Sequence, residues 1–154
     1  MAPWTAGIEA LIGAGAGTVP TLADRAPLRQ AAEILQREQV YSAVLTDSSL
    51  VEGSDASGLA LGLGGGRNEA GAFWVVVAIH DTAAGAQESA ASFRSIITDG
   101  TSLGSGQPWQ ERVASFEVSA AGEAMVAVVY SATGESDWYR TYHMREPLLA
   151  AAMG

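Results

Sequence analysis

Two histidines and a thin scatter of carboxylates are what this sequence offers to chemistry. His80-Asp81 stands where a strongly apolar run gives way to a helical pattern. An imidazole beside a carboxylate can move a proton, and with a serine it can activate a nucleophile. No Gly-x-Ser-x-Gly elbow is expected to supply that nucleophile, and a strand-terminal His beside a helix-capping Asp is the favoured reading, so no catalytic residue is assigned. His143 lies among Arg140 and Arg145, where a helix C-terminus welcomes positive charge. Two His without His-x-x-x-His spacing, in a chain free of Cys, make no metal site, disulfide or thiol nucleophile. Gly64-Gly65-Gly66-Arg67 has the look of a phosphate cradle, yet Asn68-Glu69-Ala70-Gly71 and an apolar run follow it rather than a helix, which suits a hairpin. Asp47, Glu52 and Asp55 lack calcium-loop spacing and read as a solvated loop. The most site-like stretch is Thr101–Trp109, a Gly/Ser/Pro loop in which Gln107 and Trp109 face a ligand or Trp109 pins the loop to the core. No cofactor is implied.

The elements that position these residues follow from period. Trp4, Ile8, Leu11 and Ile12 space as a short helix that the glycines at 13, 15 and 17 end. Leu28, Ala31, Ile34 and Leu35 repeat helically after Pro27, with Asp24 as a possible cap. Val40–Thr46 alternates as a strand. Leu59, Leu61 and Leu63 alternate with small residues, so that strand is bulky on one face and nearly bare on the other. Ala72–His80 is the strongest strand. Asp81 or Thr82 caps a helix over Ala83–Asp99, with Gly100 suited to a left-handed end. Val113–Ala120 and Ala124–Ser131 flank the turn Ala121-Gly122-Glu123, and Ser136 caps a last helix that Pro147 stops. The order is α-α-β-β-β-α-β-β-α. The expected class is α+β, with a mainly antiparallel sheet of four to five strands and helices packed on it. The 154 residues suit one domain, with 1–20 a helical or linker segment.

Ala72–His80 and Ala124–Ser131 are apolar on both faces. A sheet covered on one side needs only one apolar face per strand, so something must cover Trp74, Val76, Met125 and Val129. Candidates are the chain's own helices, a missing part of a larger protein, a protein partner or a second copy. The formal charge of −9, from eight Arg, no Lys and seventeen acidic residues, excludes a grip on nucleic-acid backbones. No run approaches the roughly 20 apolar residues of a membrane span.

Leu59-Ala-Leu-Gly-Leu-Gly, Ala72-Phe-Trp-Val-Val-Val-Ala-Ile-His, Ser102-Leu-Gly-Ser-Gly-Gln-Pro-Trp109 and Arg145-Glu-Pro-Leu-Leu together resemble the last domain of a set of predicted bacterial lipoproteins. The likeness reaches back to Thr21-Leu-Ala-Asp24 and Val40-Tyr-Ser-Ala43 and so covers most of the chain. It implies an extracytoplasmic location and a missing N-terminal portion with a lipid-bearing Cys, and it carries over no catalytic residue. The leading expectation is a non-catalytic binding or interaction module of a cell-surface protein, meeting its partner or itself through an apolar sheet face. One alternative is a small-molecule site, enzymatic or not, between His80 and Thr101–Trp109. The other is a structural spacer.

Overall fold

The computed structural model describes residues 24–46, 58–133 and 135–147. Five strands form one antiparallel sheet: β1 (Ser42–Thr46), β2 (Gly58–Asn68), β3 (Gly71–His80), β4 (Val113–Ala121) and β5 (Ala124–Ser131), in the order β1-β2-β3-β5-β4. Helices α1 (Ala26–Arg37), α2 (Ala83–Asp99), the single turn α3 (Trp109–Arg112) and α4 (Glu135–His143) accompany it. The class and the order of elements are those expected, with α3 added. The expected helix at Trp4–Ala14, the acidic loop at Asp47–Ser57 and the tail at Leu148–Met153 lie outside the described residues. No described helix is long and apolar enough to cross a membrane.

Local chemistry explains the element ends. Pro27 sits in the first turn of α1, where its missing N–H costs no hydrogen bond. The N-cap is Arg25, without a side-chain cap bond, and not Asp24. Thr82 rather than Asp81 caps α2: its Oγ1 accepts the Gly85 N–H at 3.1 Å. Gly100 ends that helix in an extended conformation (φ −88°), not the left-handed one expected. Glycine is needed there because a Cβ would strike the Ile96 carbonyl. Helix α4 begins at Glu135, so Ser136 is inside the helix and not its cap. Between β2 and β3 the turn is Glu69-Ala70, with the Ala70 N–H donated to Asn68 Oδ1 at 2.9 Å and Gly71 at φ +124°.

The sheet has helices on both faces. On one, Leu61, Leu63, Trp74, Val76, Met125, Ala127 and Val129 pack under Ala90, Phe93 and Ile97 of α2, with Trp109 and Tyr142 completing the layer. On the other, Phe73, Val75, Val77 and Ile79 pack under Leu28, Ala31, Ile34 and Leu35 of α1. This corrects the expected interface. Trp74 is 2 % exposed and Val76, Met125 and Val129 are 0 % exposed, because the chain's own helices lie over them. They are core, not a docking face.

The bare side of β2 is explained by α1 and by Val40, three residues beyond it. A Cβ on Gly62 would sit 3.0 Å from Leu35, and one on Gly64 would sit 2.6 Å from Val40 Cγ1. Two strand glycines thus let α1 and Val40 approach the sheet closely. Gly64→Ala should therefore destabilise the fold by about 1–3 kcal/mol through overpacking. Urea unfolding of Gly64→Ala, Val40→Ala and the double variant should show a coupling of at least about 0.5 kcal/mol, whereas additive effects would contradict the contact.

Candidate functional site

His80 ends β3 with a buried side chain, and its backbone N–H is donated to the Glu123 carbonyl at 2.8 Å. Burial pushes the imidazole below its usual 6.5, and the charges of Asp81 and Glu88 pull the other way without overcoming it. The side chain is accordingly neutral at neutral pH. Trp109, its expected partner in a site, is 2 % exposed and meets Trp74 edge-on, with ring centroids 5.8 Å apart. Trp74 precedes His80 by six residues on one strand, about 20 Å at about 3.3 Å per residue. His80 and the Thr101–Trp109 loop therefore build no common site. Trp109 pins the loop to the core. Gln107 is exposed, and its carbonyl accepts the Ser102 N–H at 2.8 Å within the loop.

The Gly-x-Ser-x-Gly spacing does occur, at Gly100-Thr101-Ser102-Leu103-Gly104. It is not an elbow, because it follows a helix and opens into a loop. Ser102 is 1 % exposed, and its Oγ accepts from Arg112.

Arg112 is the hub of a buried polar centre. Its guanidinium donates to Ser102 Oγ, to Thr141 Oγ1 and twice to Asp137 Oδ2 (3.2 and 2.9 Å). It lies 3.6 Å from Glu146 Oε2 and 5.2 Å from the Trp109 ring centroid. Glu146 Oε1 accepts the Gly104 N–H at 3.1 Å, and Arg140 donates to the Gly104 carbonyl at 2.9 Å. Burial pushes the Asp137 carboxyl up. Hydrogen bonds from Arg112 and Thr133, with the charges of Arg112 and Arg140, outweigh it and hold the group below its usual 3.8. With Arg112's donors engaged by the protein itself, this centre joins α3, the loop and α4 and leaves nothing for a ligand. Among the described residues no three His, Asp or Glu side chains gather as metal donors.

A ligand-sized opening lies instead beside α4. Tyr41, Gly66, Arg67, Ala72, Trp138 and Tyr139 line a groove of about 240 Å³. Tyr41 is 77 % and Tyr139 57 % exposed. The rings are held in place. The Tyr41 hydroxyl donates to the Arg67 carbonyl at 2.7 Å, and Trp138 stacks on Tyr142 with centroids 5.9 Å apart and planes 7° from parallel. Tyr142 in turn donates its hydroxyl to Ser42 Oγ at 2.9 Å. Gly65 makes the room, since a Cβ there would sit 3.1 Å from both the Trp138 and Tyr142 rings. The sequence held a signal for this site. Trp138 and Tyr139 are adjacent on a helix, so their side chains diverge by about 100° and cannot both enter one core. No family model, curated protein or solved structure matches the chain.

Two outcomes follow from this geometry. Arg112→Ala should cost about 3–5 kcal/mol in denaturant unfolding, because it strands the buried Glu146 carboxylate. Arg112→Lys should restore little, having one point charge in place of a planar fork. For His80 the folded form resists protonation while the unfolded form titrates near its usual value. Its contribution to stability is thus complete above that value and is lost as pH falls below it. The thermal midpoint should drop between about pH 7 and about pH 5, and His80→Gln should flatten that part of the profile. An unchanged slope would contradict the assignment.

Proposed function

We propose that this chain is a non-catalytic binding module, whose recognition surface is the aromatic groove of Tyr41, Trp138 and Tyr139, and that its ligand is a proline-rich segment of a protein partner. The observation that carries the reading is the groove itself: Trp138 and Tyr139 of α4 facing Tyr41 beside β1, with Gly66 and Ala72 between them and Arg67 as the one charged lining residue among those described. A half-buried Trp with exposed Tyr and Arg in a concave patch brings together the side-chain types that dominate binding energy at interfaces. Aromatic-lined grooves suit proline-rich segments, whose extended helix is already formed and loses little entropy on docking. A glycan would present many hydroxyls, and this lining has few polar groups to meet them. Arg67 brings a positive charge to the groove of a molecule whose net charge is −9, which favours a carboxylate in the segment. The resemblance to lipoprotein domains supports an extracytoplasmic, cell-surface setting for such a module.

A proline-rich peptide carrying one Glu, titrated by calorimetry, tests the reading. Tyr139→Ala should weaken binding about tenfold or more. The thermal midpoint should not move, because Tyr139 is largely exposed. Failure of the peptide to bind, or preferential binding of an oligosaccharide at the same residues, would overturn it.

A further inference from the structure

The far edge of the sheet carries a second surface, independent of the aromatic groove. Strand β4 is an edge strand, nine residues long and without proline or lysine; its register shifts once, between Val113 and Ser115, and runs regularly from Ser115 to Ala121. The two-residue turn Gly122-Glu123 makes Ala121 and Ala124 a hydrogen-bonded pair, so alternate residues along β4 bond to β5. Phe116, Val118 and Ala120 therefore turn their backbone N–H and C=O groups outward. Arg94 confirms this sense: its Nη2 donates to the Val118 carbonyl at 2.5 Å.

Alongside the first half of this edge lies an open cavity of about 360 Å³, walled by Ile97 and Thr98 of α2, Gln110 of α3, and Val113, Ala114 and Phe116. Phe116 is 37 % exposed at its mouth. Arg94 stands three and four residues before Ile97 and Thr98, on the same helix face. Among the described residues it pairs with a neutral carbonyl and with no carboxylate, in a chain holding seventeen acidic side chains. Asp99 and Glu111, both exposed, adjoin Thr98 and Gln110 at the other end.

We propose that the β4 edge, the cavity between α2 and β4, and Arg94 together form a docking site for the extended C-terminus of a partner protein. The peptide adds a strand alongside β4, with its backbone pairing to Phe116. An apolar side chain fills the cavity, its terminal carboxylate meets Arg94, and a basic residue upstream meets Asp99 and Glu111. Main-chain bonds then supply affinity while the cavity and the carboxylate supply selectivity. The charges at each end fit this occupant. A second copy brings its own −9 charge to the same edge and fits less well.

The test uses the full chain and a fluorophore-labelled hexapeptide with Lys first, alternating Val and Thr, and a free C-terminal Leu, read by anisotropy. Saturable binding is expected, weakened about tenfold by C-terminal amidation or by Arg94→Gln and largely retained by Arg94→Lys. Phe116→Pro, which removes an outward N–H that β5 does not use, should also weaken binding, with circular dichroism confirming that each variant is folded. No binding up to about 1 mM peptide, equal affinity for acid and amide, or a dimer in sedimentation whose association Phe116→Pro abolishes would each overturn the proposal. None of these outcomes bears on Tyr139 or the aromatic groove.

Discussion

Strand β3 must bury apolar side chains on two sides at once, and most of the architecture answers that demand. From Phe73 to His80 every residue is buried, with Phe73, Val75, Val77 and Ile79 to one side and Trp74, Val76 and Ala78 to the other. At roughly 1.5–3 kcal/mol for each large apolar side chain, an uncovered face would forfeit much of a marginal stability. The chain therefore places α1 on one face and α2 and α4 on the other, and β3 takes the middle of the strand order. The cover is uneven: beyond α1, Val126, Val128 and Tyr130 of β5 are only partly buried.

The second constraint is the Arg112 charge. Taking a guanidinium out of water costs several kcal/mol unless its donors are engaged. Its partners come from the loop after α2, from α4 and from the turn after α4. That arrangement holds α4 against the sheet, and α4 is what sets Trp138 half-buried in the groove wall and Tyr139 out in solvent. A buried centre without open chemistry thus orients the surface that is open.

The fold was legible in the sequence because period is a local signal. The switch from helical to alternating apolar spacing near Val40, and the doubly apolar runs at 72–80 and 124–131, correspond to observed elements. What covers the doubly apolar strands was not legible. Trp74 and Met125 carry the same side chains whether a neighbouring helix or a second molecule lies over them, and only tertiary packing decides. The loop from Thr101 to Trp109 looked like a site because glycine, serine and a terminal tryptophan are common to binding loops and to loops clamped from beneath; Arg112, seen alone in sequence, does not announce the five residues it gathers. Tyr41 and Arg67 meet Trp138 only through the register of β1 on β2. That register brings residues nearly a hundred positions apart to one groove, and no spacing rule reaches so far.

The Arg112 centre also sets an order of events as the chain leaves the ribosome. Residue 112 emerges well before residues 137, 141 and 146, which complete its hydrogen bonds and charge balance. Strands β1 to β5 are all synthesised by Ser131, yet one face of that sheet lacks its final cover until α4 and the turn after it follow. The newborn sheet must therefore wait, partly wet and with an unsatisfied cation beside it, for some fifteen residues of translation. Vectorial synthesis makes α4 and the turn after it a closing clasp, and a pause within them would lengthen the exposure of the apolar sheet face beneath.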